Sequence, residues 1–346
     1  MLGREDAGPR FVDRFPHSQG SRRYCWLGPV SFEVRCSGSL AALTTTDCVV
    51  SKCQVFDYLT KAGPEEEDKA RRRDSISEIE RYARELGAVL AHKGEVSAYA
   101  GAGFQRIISS ALRALEVDEG LVIDISCLTK IHTVMLASVL AGLDRKDSVM
   151  LAYTLPENFL HMAGESVFFE GWDDIIVAPI SDTEDARLGN ESEARGVIIT
   201  GHEGHRLSVA LNEIEAASYR IITGVIPERP DFERVTRRHN REVYRSLVAS
   251  PQAEAKVDFR AAGEVFEFVR AEILRAEQSS APVYLYPFGT KSVVLAAALA
   301  CSVLYPLRSW FVYPIPSSYD VRYTEGTWKT HWLPGESVKA MLARNP

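Results

Sequence analysis

Two Thr-Lys pairs, each placed after an apolar run, carry the clearest chemistry in this chain. In the second pair, Val283–Tyr286 reads as a buried strand and Pro287–Gly289 as a tight turn. Thr290 and Lys291 then open a helix that runs to Ala300. The first pair follows the same plan. Leu121–Ile125 is a strand, Ser126, Cys127 and Leu128 form the turn, and Thr129 and Lys130 open the next helix. A strand that enters a helix through a short turn leaves backbone N–H groups free at the helix start. Those groups favour an anion, and a lysine beside them adds a full positive charge.

The two units belong to a longer repeat. Tyr153-x-x-Pro156-x-x-Phe159 matches Tyr313-x-x-Pro316-x-x-Tyr319, and Glu33 with Arg35 matches Glu203 with Arg206. The Thr-Lys and Tyr-x-x-Pro pairs are both separated by about 160 residues, too long for a solenoid repeat and right for a duplicated domain. Each half reads as strands alternating with helices. The expected fold is therefore α/β, with two tandem Rossmann-like parallel-sheet domains related by internal duplication. Residues 1–23 read as a flexible arm, 24–180 as the first domain, 181–195 as an acidic linker and 196–346 as the second domain. Within the first domain, residues 65–73 form a charge run that suits a solvated loop or a helix start. Ile79, Tyr82, Leu86 and Leu90 make a helical stripe beyond it. Residues 232–248 read as one basic helix.

In doubly wound sheets, ligands sit beyond the carboxyl ends of the strands. That rule selects Arg35, Ser126, Thr129, Lys130 and Tyr153 in the first half. It selects Arg206, Gly289, Thr290, Lys291 and Tyr313 in the second. Arginine, lysine and helix starts suit phosphate, and aromatic rings can stack on a base. The plain alternatives are that each Thr-Lys is an N-cap followed by an exposed lysine, and that Arg35 and Arg206 pair with Glu33 and Glu203 in their own turns. The Tyr-x-x-Pro segments equally suit core-lining strand ends. His202 and His205 share a Gly-rich turn but have no third metal ligand nearby in sequence, so no metal and no cofactor is expected. His132 reads as structural. Asp124 ends a buried strand, where a carboxylate needs hydrogen bonds; Leu285 is its counterpart in the second half. No hydrolase signature is present, and no catalytic residue is assigned.

Bulk composition narrows the partners. The 346 residues carry a formal net charge of −7, which argues against general duplex DNA binding. No run approaches the roughly 18 apolar residues of a membrane span, and residues 1–23 lack the apolar core of a secretory signal. The six cysteines lack Cys-x-x-Cys spacing, which suits reduced thiols in a cytoplasmic protein.

The turn from Tyr286 to Lys291, with its Gly289-Thr290-Lys291, resembles that of CARF (CRISPR-associated Rossmann fold) domains and the related SAVED domains. The turn from Asp124 to Lys130 is similar to it, with Leu128 where those families tend to carry glycine. The resemblance implies a Rossmann-like sensor of cyclic or linear oligonucleotide second messengers in bacterial antiviral defence, acting on a separate effector protein. It implies a ligand lying between two pseudo-symmetric halves, with Thr129, Lys130, Gly289, Thr290 and Lys291 on phosphate or ribose. Two other expectations remain open: an enzyme that cleaves or transfers nucleotides in the same cleft, and an interaction scaffold docking through the apolar segment 159–172.

Overall fold

The computed structural model describes residues 8–16, 23–59, 66–159, 172–181, 190–247, 253–317 and 324–343. The first half lays down β1 (Arg23–Pro29), α1 (Gly38–Leu43), β2 (Val49–Leu59), α2 (Glu66–Glu85) and β3 (Val89–Ser97). It continues with α3 (Gly101–Arg113), β4 (Glu119–Asp124), α4 (Lys130–Ala141) and β5 (Val149–Leu155). These strands pair in parallel in the order β3-β2-β1-β4-β5. The side chains of the central strands explain why the sheet is covered on both faces. Cys25 and Leu27 of β1, with Leu121 and Ile123 of β4, enter one apolar cluster. Tyr24, Trp26 and Val122 enter another, with Ile79 and Ala83 of α2. Such strands read as continuous apolar runs because neither face meets water.

After β6 (Asn158–Phe159) and β7 (Trp172–Pro179), the second half repeats the plan. It contains β8 (Arg195–Thr200), α5 (Gly204–Glu213), β9 (Ser218–Val225), α6 (Pro230–His239), α7 (Arg241–Leu247) and β10 (Glu254–Asp258). Then come α8 (Ala262–Ser279), β11 (Val283–Pro287), α9 (Lys291–Leu304) and β12 (Ser309–Pro316). Its parallel order is β10-β9-β8-β11-β12, the same permutation as the first half. The duplicated α/β architecture is thus as expected. Both sheets reverse their strand order beside the first strand, where a crevice opens at the carboxyl ends.

The sheets do not coincide with residues 24–180 and 196–346. β7, from the end of the first half, lies antiparallel on β12 of the second sheet. β13 (Thr324–Glu325) and β14 (Lys329–Leu333) follow β12, and β14 lies antiparallel on β5 of the first sheet. Each half therefore completes the sheet of the other. The two crossing connections meet where β6 pairs with β13, with Phe159 opposite Thr324. A final helix, α10 (Gly335–Leu342), packs its Val338 and Met341 into the core.

Between the sheets, α4 packs on α9, flanked by α3 and α8. Every residue of α9 from Lys291 to Ser302 is buried. Alanines at 296, 297, 298 and 300 let neighbouring backbones approach it closely.

Several local expectations are corrected. The arm is not loose over residues 8–16. Phe11 and Phe15 are buried, and Val12 exchanges two backbone hydrogen bonds with Trp332, extending the edge of the first sheet. Pro9 lies against Gly263 at the start of α8. The charge run is a helix start, one of its two expected readings: residues 66–73 open α2, stabilised by i,i+3 and i,i+4 ion pairs such as Arg72–Asp68. Leu90 belongs to β3, because Gly87 adopts a positive φ of 67° and ends the helical run. The basic helix is two, α6 and α7, broken at Asn240, whose side chain donates to the carbonyls of Thr236 and Gly201. Most of the linker and of segment 159–172 lies outside the described residues.

Candidate functional site

One cavity of about 150 Å³ lies where the carboxyl ends of both sheets face each other. Its wall includes Arg35, Thr129, Lys130 and Tyr153 from the first half, and Gly289, Thr290, Lys291 and Tyr313 from the second. The two Thr-Lys helix starts therefore open on one space.

The turns are held there by close backbone contact. A Cβ on Gly201 would meet the carbonyl oxygen of Phe288 at 1.9 Å, and one on Gly289 would meet Ile199 at 2.3 Å. The turn after β8 thus lies directly against the turn after β11. In the first half, Asp124 organises the equivalent turn. It is fully buried and accepts from Ser39 Oγ and from the Ser126 N–H at 2.7 Å. Ser39 in turn accepts from Trp26 Nε1 at 2.8 Å, and Ser126 Oγ accepts from the Thr154 N–H at 2.8 Å. Burial still pushes the Asp124 carboxyl up to about 6, against the pull of these hydrogen bonds. Ser126 ties β4 to β5 and stands behind the cavity wall rather than in it.

Both arginines pair within their own turns. Arg35 Nε meets Glu33 Oε2 at 2.5 Å, and Arg206 Nη1 meets Glu203 Oε2 at 2.6 Å. Each also donates to a carbonyl at the end of the last parallel strand, Thr154 for Arg35 and Pro314 for Arg206. Arg35 reaches the cavity wall. Arg206 does not; it lies buried over the Tyr313 ring, 4.5 Å from its centre. Their first role is to fix the turns.

The two lysines line the cavity beside Glu33, Arg35, Arg72, His202 and Glu203. Lys130 is half-buried and donates across the junction to the carbonyl of Gly289. Lys291 is buried, and among the described residues its ammonium makes no hydrogen bond or ion pair. Burial pushes Lys130 down to about 7, with Lys291, Arg35 and Arg206 adding repulsion and Glu203 opposing. Burial likewise pushes Lys291 down to about 8, with Arg35 adding to it and Glu33 opposing. Charged groups are thus held close together at reduced hydration, as in anion-binding or catalytic sites.

Sequence reasoning missed part of the wall. Tyr58 and Tyr99 line it from the ends of β2 and β3, and Phe232 lines it from α6. The after-strand rule reaches Tyr58 and Tyr99 only once the full extent of β2 and β3 is known. Arg72 lies in the charge run, yet α2 turns it inward, onto Asp68 at 3.0 Å. His202 also lines the wall, its ring 4.5 Å from that of Phe232. Among the described residues no group of three or more His, Cys, Asp or Glu is arranged to hold a metal ion.

No protein-family model matches this chain, and no curated protein matches it. Among solved structures it is similar to a type III CRISPR defence DNA nuclease activated by cyclic oligoadenylate, at 10% identity and a TM-score of 0.47. That match covers 84% of this chain and 65% of the nuclease, so the chain spans just under two-thirds of that structure. It is also similar to a functionally unknown protein from Pseudomonas aeruginosa PAO1, at 8% identity and a TM-score of 0.23. There the match covers 92% of this chain and 95% of the other. Neither likeness bears on what the cavity holds. No helix among the described residues is long and apolar enough to cross a membrane.

His132 stands just behind the wall and supplies a pH test of this region. Its ring is stacked between Phe104 at 4.5 Å and Tyr58 at 5.3 Å, and burial pushes it down to about 4. The folded protein keeps it neutral while the unfolded chain protonates near pH 6.5. Its contribution to stability is therefore lost as pH falls from 6.5 to 4, by about 3 kcal/mol. Asp124, with its raised value, acts in the opposite direction. Urea titrations of wild type and His132→Phe from pH 7 to pH 4 isolate the histidine: the wild type should lose ground to the variant as pH falls. A constant difference would exclude a neutral buried His132.

Proposed function

We propose that this chain binds a nucleotide or oligonucleotide second messenger between its two halves and passes the signal to a separate effector protein. The observation that carries this reading is the convergence of two Thr-Lys helix starts, one from each half, on one aromatic-walled cavity. Helix N–H groups and lysine ammoniums suit phosphate, and Tyr58, Tyr99, Tyr153, Phe232 and Tyr313 offer faces for a base. The resemblance of the turn through Gly289, Thr290 and Lys291 to CARF and SAVED domains supports the same ligand class and a setting in bacterial antiviral defence.

The cavity is smaller than the roughly 300–1,000 Å³ of pockets that enclose drug-sized ligands. A dinucleotide or larger ligand must therefore part the loops around it. That gives binding a structural consequence that an effector can read, since a ligand shifts a population by its preference for one state.

Calorimetric titration with nucleoside monophosphates, linear oligonucleotides and cyclic oligonucleotides tests the reading. The Lys130→Ala/Lys291→Ala double variant is expected to weaken binding of the best ligand by about 100-fold or more, with no fall in melting temperature. Unchanged affinity in the double variant would remove the cavity from consideration. A second reading rests on Lys130, which is held near neutrality and so can accept a proton. Turnover of the bound ligand, followed by chromatography, would make the chain an enzyme.

A further inference from the structure

The two helix starts share a motif but not a state. At α4, Thr129 Oγ1 accepts the His132 N–H at 3.2 Å, and the Lys130 ammonium is engaged by the Gly289 carbonyl. Leu128 adds a buried side chain to that turn. At α9, Thr290 caps no backbone N–H, and its hydroxyl lies 3.4 Å from Ser292 Oγ. Lys291 is only 8% exposed, lines the cavity, and has no partner among the described residues. The residue before this Thr-Lys is Gly289, so no side chain covers the turn.

The neighbouring charges sharpen the contrast. Glu33 and Glu203 are each taken by an arginine, at 2.5 and 2.6 Å, and Arg72 is taken by Asp68. The positive end of a 14-residue helix and a buried ammonium therefore face the cavity together, with Glu33 and Glu203 in the same wall but each held by its own arginine. The aromatic lining is placed differently in the two halves: Tyr58 and Tyr99 stand at the ends of β2 and β3, whereas Phe232 stands on α6, after β9.

We infer that the cavity takes one phosphate group, on the N-terminus of α9 beside Gly289 and Lys291, and that its ligand is accordingly asymmetric. It is a nucleotide unit with a terminal phosphate, free or at the end of a linear oligonucleotide, and not a ring of two-fold symmetry. The inference rests on the nucleotide-binding reading above and goes beyond it by naming the ligand's form. The volume agrees: about 150 Å³ holds one phosphate or one ring system, close to the size of a cavity that admits benzene. At the first-half start, a second phosphate would have to displace both the Thr129 cap and the Lys130 bond to Gly289.

The test is calorimetry on the full chain with four adenine and guanine series: nucleosides, 5′-monophosphates, 5′-phosphorylated linear dinucleotides, and cyclic dinucleotides. Wild type, Lys130→Ala and Lys291→Ala are compared. The expected result is one phosphorylated linear ligand or monophosphate per chain, with the nucleosides bound at least 30-fold more weakly. Lys291→Ala should lose about 30-fold or more and Lys130→Ala less than about three-fold, the range of one charged hydrogen bond against a group already engaged. Monophosphate and dinucleotide arms separate a free nucleotide from an oligonucleotide end. Tightest binding of a symmetric ring, or equal losses in the two variants, would overturn the inference and leave the binding reading standing. No binding by any member of the panel would overturn both.

Discussion

Expressed as two separate chains, residues 1–181 and 190–346 are each expected to be insoluble or unfolded, and to recover a folded state only when produced together. The first piece would carry β7 without β12 to receive it, and its β5 would lose β14. The second piece would have the converse defects. An unpaired inner strand exposes a row of backbone donors and acceptors that invites aggregation. Loss of the helix layer costs still more. α9 packs on α4 of the other half, so separation exposes the apolar side chains of α9 that meet α4. Each such side chain loses about 1.5–3 kcal/mol of burial, and a domain's net stability is only about 5–15 kcal/mol. Solubility, circular dichroism and gel filtration of each piece, alone and together, decide the matter. A cooperative melt from either piece alone would show that the exchanged strands are dispensable.

Lys291→Met is expected to make the protein more stable at pH 7 while weakening ligand binding by about 30-fold or more. The lysine is buried with Arg35 nearby, and its folded-state value of about 8 lies below the 10.5 of the free side chain. Below pH 8 both folded and unfolded states are protonated, so the folded state bears the whole penalty of a buried ion. Between pH 8 and 10.5 the unfolded chain holds more protons, and stability rises with pH. The difference corresponds to about 3 kcal/mol at pH 7. Methionine is unbranched, of similar length and uncharged, so it removes the penalty without leaving a cavity. Urea midpoints at pH 7 and pH 10 check this: the variant should lead clearly at pH 7 and much less at pH 10. A variant less stable than wild type at pH 7 would mean that Lys291 is compensated in the folded state. A group kept at the expense of stability is what a binding site requires.

The parts of the fold that were legible from sequence are those with local signals. Strand β11, its turn and helix α9 follow from an apolar run, Pro287–Gly289 and the Thr-Lys start. The duplication follows from pairs at matched spacing. The exchange of β7 and β14 was not legible, because strand pairing is a long-range choice that no residue within Trp172–Pro179 or Lys329–Leu333 declares. The docked segment at 8–16 was missed for a similar reason: Phe11 and Phe15 are single apolar residues in a polar stretch, and only the finished surface supplies their sockets. Within the cavity, Lys130 and Lys291 were placed by motif and Tyr153 and Tyr313 by spacing. Arg72 was hidden by its charged neighbours, since an acidic block followed by a basic one looks solvated until helix α2 turns one side of it inward. The charge of Arg206 suits a phosphate, but Glu203 and the Pro314 carbonyl use that charge to hold the turn.

The exchange of β7 and β14 reproduces, within one polypeptide, the geometry of a strand-swapped pair of identical subunits. In such a pair every substitution enters twice, once on each side of the axis, so a site on the axis must keep both its sides alike. It is also complete only at concentrations where the pair forms. Joining the copies removes both constraints. The cavity is whole at any dilution of the chain, and Leu128 is free to differ from Gly289 across it.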